Sequence, residues 1–240
     1  MLILAVDTST RTGSAAVLRD AEVLAEISES ELVQHSTSLF HDVSFLQQTL
    51  KLNLGQIDLF AVSAGPGSFT GLRVGLTAVK AWAEVYRKPV AAVSGLEAIA
   101  AESLEGDSAS NLGERLIAPF FDARRGQIFG AIYRRTTEGR SRLELMGDEL
   151  VLSIDEFFEL VREASPDLPR LVSPTPSLIP AARLAEVLPG TQIVQVSPAL
   201  ASAIGRLGYE KAMRGAVVDA LRLDANYVRR SDAESAWKDG

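Results

Sequence analysis

The chain of 240 residues contains no cysteine, which excludes disulfides, thiolate catalysis and cysteine metal sites. Its two histidines, His35 and His41, are too few for a histidine-only zinc centre within one chain. No stretch approaches the roughly 18 consecutive apolar residues of a membrane helix. The opening MLILAVDTST is too short for a secretory signal and reaches its aspartate too early, so it reads as a buried first strand. Basic residues are in deficit. The net charge of −7 is the opposite of the basic face expected of a protein that holds nucleic acid alone. The remaining composition, 47% hydrophobic and 23% charged, is that of an ordinary globular protein. A cytoplasmic location fits the absence of cysteine, and the length suits one large domain or two small ones.

What the chain does have is a concentrated glycine-rich turn. An apolar strand over 58–63 runs into GPGSFTGLR, and a helix follows. Gly65, Gly67 and Gly71 permit backbone angles closed to other residues, Pro66 sets one of them, and Ser63, Ser68 and Thr70 supply hydroxyls. Helix-start amides lack partners and welcome an anion or a cap. The string has no GK[ST] ending, which excludes a P-loop triphosphatase. The favoured reading is tight strand-to-helix packing that positions the following helix.

Along the chain, 2–6, 14–19 and 22–28 read as strands, with Arg19–Asp20–Ala21 as a hairpin turn. Ser36 caps a helix whose Leu39, Val43, Leu46 and Leu50 recur at three and four residues. A long helix covers 71–87, ahead of Pro89; a strand (90–93) and a helix (96–103) follow. Asn111–Gly113 is a break. Then 116–121 and 127–134 form a hairpin with DARRG (122–126) at its bend. Residues 136–150 read as loops or an edge strand. Ser153 and Glu156 form a capping box for a helix through Ala164. Five prolines punctuate 166–180, a strand covers 192–196, a helix runs from about 198 to 213, and a frayed tail starts at about 231. Strands, then alternating helices and strands, in two loose halves, argue for an α/β protein of two similar subdomains.

The string GPGSFTGLRVGLTAVKAWA, preceded by ILAVDTST and HSTSLF and followed by DARRGQIF and NYVRR, resembles the TsaB family (older name YeaZ). The resemblance is dense over 1–100 and thin over 136–225. It implies an actin/hexokinase-like fold: an N-terminal subdomain over 1–103, and a C-terminal one over 104–240 whose last helical segment packs back on the first. It also implies a subunit of the bacterial machinery that makes threonylcarbamoyladenosine in tRNA. In that family the chemistry belongs to the metal-bearing paralogue TsaD, and an ATPase, TsaE, joins the pair. The resemblance thus implies a non-catalytic partner and stabiliser of TsaD that forms a homodimer when alone and meets tRNA through the complex. ATP or ADP would then belong to an interface shared with the partner. TsaD-like proteins carry an HxxxH metal motif; on this chain those positions fall on Gly95 and Ile99, neither of which can ligate a metal.

Within the implied fold, Asp7, Thr8, Ser9 and Thr10 sit where a first hairpin wraps phosphates; the alternative is a polar strand end closing a tight turn. The second phosphate loop falls at SPTPS (173–177), without glycine. The expected partner interface comprises Leu39, Val43, Leu46, Leu72, Val74, Gly75, Ala78, Val79 and Trp82, since a helix apolar nearly all round is covered on more than one side; the alternative is that all of them serve their own core. The structural loop comprises Gly65, Pro66, Gly67, Ser68, Thr70, Gly71 and Arg73. Arg124, Arg125, Arg134 and Arg135 read as one basic cluster beside the hairpin, a phosphate contact or equally a solvated turn, and Tyr227–Arg230 as a contact for tRNA or the partner. His35 reads as hydrogen-bonded at the helix entrance and His41 as a surface residue. The rival reading is a phosphotransferase of the sugar-kinase type using Asp7 with magnesium. A metalloprotease fails for want of ligands.

Overall fold

A computed structural model of the protein describes residues 1–28, 35–104, 115–136, 142–165 and 167–228. It divides into two compact units, one formed by 1–98 with 199–240 and the other by 99–198. The break falls inside a helix rather than at 103, and the last helix counts with the first unit.

The first unit is built on a five-stranded sheet. Its strands are β1 (Leu2–Asp7), β2 (Ser14–Arg19), β3 (Glu22–Ser28), β4 (Leu59–Gly65) and β5 (Val90–Ser94), in the order β3-β2-β1-β4-β5. β1, β4 and β5 run parallel, and β2 and β3 antiparallel to them. Side chains alternate across a strand, and the two faces differ accordingly. Leu4, Val6, Phe60 and Val62 pack under α1 (His35–Leu50) and α2 (Phe69–Tyr86), in a core with Leu39, Val43, Leu46, Leu72 and Val79. The opposite face carries Ala61 and Ala91. There α6 (Ala201–Met213) comes close, because a Cβ at Gly208 would lie 2.7 Å from that of Ala61. The last helix therefore belongs to this unit as the cover of a second apolar sheet face. A bare face would leave that surface in water, at about 25 cal/mol per Å².

α2 starts two residues earlier than expected, capped by Ser68, and ends at Arg87 in the left-handed conformation, with Pro89 beyond. β5 leads into α3 (Gly95–Glu102), where Ser94 Oγ accepts from the amides of Leu96 (3.0 Å) and Glu97 (3.2 Å).

The second unit has a seven-stranded mixed sheet: β6 (Arg115–Arg124), β7 (Gln127–Gly130), β8 (Tyr133–Thr136), β9 (Arg142–Leu145), β10 (Leu150–Leu152), β11 (Arg170–Ser173) and β12 (Ile193–Gln195). Phe120 packs against Phe157 of α4 (Ile154–Ala164) with ring centroids 5.2 Å apart, within a core that includes Ile128, Val161 and Leu171. The expected strand over 127–134 is two strands. Its interruption at 131–132 faces the β6 stretch around Pro119, whose nitrogen has no hydrogen to donate to the ladder; Pro119 still accepts from Ala131 N at 3.4 Å. A short helix, α5 (Ala181–Val187), follows Pro180. It escapes a periodicity reading at seven residues. The break at 111–113 and the tail from 231 lie outside the described residues.

The α4 capping box forms as expected. Ser153 N donates to Glu156 Oε2 at 2.7 Å and Glu156 N to Ser153 Oγ at 3.3 Å. The Ser153 amide, then its hydroxyl, hold the Glu156 carboxyl below the ordinary carboxylate range. A lowered folded pKa gives stability that is present above the unfolded pKa and lost as pH falls through the folded one. Ser153→Ala should cost about 1 kcal/mol. Glu156→Gln, which keeps an acceptor but does not titrate, should show a flatter dependence of melting temperature on pH below 5. Identical acid profiles for wild type and Glu156→Gln would count against this cap.

Candidate functional site

The carboxyl ends of β1, β4 and β5 meet at one edge of the first sheet, the position where ligands bind in open α/β sheets. Three segments converge there: Asp7–Thr10, Gly65–Thr70 and Ser94–Glu97. Asp7 is fully buried, and its Oδ1 accepts from Ser9 N (2.9 Å) and Ser9 Oγ (2.6 Å). Ser63 Oγ donates to Ser9 Oγ at 3.1 Å, and Ser68 N to Ser9 O at 2.8 Å. Thr8 Oγ1 donates to Gly71 O at 2.7 Å and accepts from Gly75 N at 3.1 Å. Thr10 Oγ1 donates to Thr12 O at 3.0 Å. The turn after β1 is thus bonded to itself and to the start of α2.

The glycines make this clamp sterically feasible. A Cβ at Gly67 would lie 2.6 Å from Ser9 O and one at Gly75 2.5 Å from Thr8 Oγ1; one at Gly71 would fall on Thr8 O. Gly65, with φ 123°, lies against Asn226 O, and Asn226 N donates to Ala64 O at 2.6 Å. The stretch around Asn226 therefore lies directly against the glycine-rich loop. The partner for these glycines is their own unit, and Gly75 serves the first hairpin turn rather than an approaching helix.

Most of the expected interface residues are core. Leu39, Val43, Leu46, Leu72, Gly75, Ala78 and Val79 are buried within the first unit; Val74 and Trp82 are half-buried. Periodicity identifies an apolar stripe and not what it faces, and here it faces the sheet. The exposed large apolar residues of the same helices are Phe40, Phe45, Phe69, Val85 and Tyr86. Phe40 packs edge-on against Trp82 (6.0 Å, 85°), and Trp82 rests on Phe60 (6.1 Å). Among the described residues the five exposed aromatic rings, those of Phe40, Phe45, Phe69, Tyr86 and Tyr227, all belong to this unit. Phe45 falls off the 39–43–46–50 stripe, which is the sequence signal that could have marked it.

At the first turn of α2, Arg73 lies over the Phe69 ring, 3.7 Å from its centroid, and its Nε donates to Tyr227 Oη at 3.4 Å. The Phe69 and Tyr227 rings are 5.1 Å apart. Arg229 and Arg230 lie outside the described residues, as do the side chains of His35 and Ser36. His41 is exposed, 3.7 Å from Asp42.

The four-arginine cluster does not form. Arg124 and Arg125 occupy the β6–β7 tip with φ of 66° and 57°. Arg134 pairs with Leu116 near the other end of β6, which at about 3.3 Å per residue is roughly 26 Å from the tip. Arg135 is buried, and Arg134 faces Glu144 at 3.8 Å. Gly95 and Ile99 are buried in α3, and Glu97 pairs with Lys211 of α6 at 3.0 Å. Among the described residues no three histidine, aspartate or glutamate side chains gather as a metal site would require, and no helix is long and apolar enough to cross a membrane.

The family model described as TsaD, tRNA N6-adenosine threonylcarbamoyltransferase, matches residues 22–194. A solved structure titled YeaZ, from Pseudomonas aeruginosa, superposes with a TM-score of 0.72 at 24% identity, covering 94% of this chain and 99% of that one. A ROK hexokinase from Thermus thermophilus superposes at 0.50 with 12% identity, over 88% of this chain and all of that one, which places the fold among actin/hexokinase-like proteins. The tRNA threonylcarbamoyladenosine biosynthesis protein TsaB of Escherichia coli is 33% identical over 58% of each chain. That of Bacillus subtilis is 31% identical over 99% of this chain and 98% of its own. By this near-complete match, with the glycine-rich clamp and the two-unit fold, the chain belongs to the TsaB family of tRNA threonylcarbamoyladenosine biosynthesis.

Proposed function

We propose that the chain is the non-catalytic subunit that binds and stabilises a metal-bearing, TsaD-like threonylcarbamoyltransferase. The observation that carries this reading is the exposure of Phe40, Phe45, Val85 and Tyr86 on α1 and α2, two helices whose apolar stripes already face their own sheet. Aromatic side chains are enriched in protein interfaces, where a few of them act as anchors that carry much of the binding energy. The docking surface is the outward side of these helices, centred on Phe40 and Val85, while the apolar stripes beneath hold the helices to the sheet. In the same reading the chain pairs with itself through this surface when the partner is absent, a TsaE-like ATPase joins the pair, any ATP or ADP is held between subunits, and the work is done in the cytoplasm.

Phe40→Asp together with Val85→Asp should weaken co-purification with the TsaD-like protein by about 30-fold or more, the loss of one anchor's roughly 2 kcal/mol. Melting should change little, since both side chains are exposed. Unchanged co-purification would overturn the proposed surface. Ala78→Asp, by contrast, should unfold the unit, because it buries a charge without a partner. A phosphotransferase reading is less supported: Asp7 is turned onto Ser9. Isothermal titration with Mg-ATP separates the two, micromolar binding and turnover by the lone chain favouring the kinase.

A further inference from the structure

We propose that Phe69, Arg73 and Tyr227 form a stacking platform for an unpaired base of single-stranded RNA. The inference rests on the tRNA-modification reading above and adds a direct RNA contact to it. The three side chains come from two distant parts of the chain, yet they form one preassembled unit: guanidinium over ring at 3.7 Å, ring beside ring at 5.1 Å, guanidinium to phenol at 3.4 Å. All three are exposed and neither ring belongs to the hydrophobic core of the unit. Their assembly therefore does not serve core packing.

Its chemistry is that of base recognition. Of the five N–H donors of a guanidinium, Arg73 commits one to Tyr227, and among the described residues no carboxylate faces it. Bases splayed from an RNA loop stack on aromatic rings and guanidinium planes, and the adjoining phosphate takes the free donors. The platform also lies beside the carboxyl ends of parallel strands β1 and β4, the ligand-binding edge of such sheets, rather than on the outer helical side assigned to the protein partner. A net charge of −7 disfavours broad capture of the RNA backbone, so a local stacking contact with a shallow salt dependence is the mode open to this chain.

The test is fluorescence anisotropy of the full chain with a labelled tRNA stem–loop, whose loop bases are unpaired, at low salt, beside an RNA duplex of equal length. Phe69→Leu and Tyr227→Leu should each weaken stem–loop binding by at least about 5-fold, the lower end of one base–aromatic stack. Arg73→Gln should weaken it and lower the salt slope by about 1. Tyr227→Phe, which keeps the ring, should stay within about 2-fold of wild type. Variants are compared at matched melting temperature, so that misfolding is not read as lost contact. Wild-type binding no tighter to the stem–loop than to the duplex, or ring-deleted variants that bind as wild type does, would overturn the platform. Loss of partner co-purification with RNA binding intact would assign these residues to the protein interface. That outcome sinks this inference and leaves the proposed function standing.

Discussion

Gly71→Ala should destabilise the protein by about 3 kcal/mol or more and lower its melting midpoint by roughly 6–12 °C. On helix propensity alone the change is favourable by up to about 1 kcal/mol. The environment reverses the sign. A Cβ at Gly71 falls on the carbonyl oxygen of Thr8, a backbone atom that cannot swing aside like a side chain. To make room, α2 must back away from the end of β1. That movement stretches the Thr8–Gly71, Gly75–Thr8 and Ser68–Ser9 bonds together. Each buried donor or acceptor left open costs about 1–3 kcal/mol. Gly95→Ala is the matched control. Its Cβ would meet nothing closer than 3.6 Å, so it should stay within about 1 kcal/mol of wild type. Equal melting of wild type and Gly71→Ala would show that the clamp is not the reason for this glycine.

The second large effect is expected at Asp7. Asp7→Ala removes the acceptor of two buried Ser9 donors and should cost about 2–4 kcal/mol, read as a lower urea midpoint at unchanged m-value. Asp7→Asn keeps one carbonyl acceptor and should retain most of that stability. The sign separates two roles. A carboxylate kept for magnesium and phosphate chemistry is held at the expense of stability, and its removal usually stabilises the fold. A carboxylate that closes a turn does the reverse. A gain in stability for Asp7→Ala would therefore overturn the structural role and revive the phosphotransferase reading.

Local signals were legible wherever a few adjacent residues decide the outcome. Ser153 and Glu156 announce their capping box because both partners lie within one helical turn. The apolar run of β1 reads as a buried strand and that of β4 as the strand ahead of the glycine-rich turn, and both form. The two α/β halves follow from the order of such elements. Where a proline acts across a ladder, as at Pro119, the effect appears on a strand some dozen residues away, and the sequence of β7 and β8 carries no trace of it. The arginine cluster failed for a related reason. Residues 124 and 134 are close in sequence, but the hairpin arm carries the second to the far end of β6.

The candidate site divides along the same line. The glycine-rich string and the family it marks are written in residue identity. Which neighbour each glycine serves was decided only by tertiary packing, because Thr8 O and Asn226 O are brought to Gly71 and Gly65 from 63 and 161 residues away along the chain. So was the assignment of Leu39, Val43, Leu72 and Val79 to the core and of Phe40 and Phe69 to the surface. Helical periodicity defines a direction around an axis, and only the placement of that axis against a sheet determines which direction is inside.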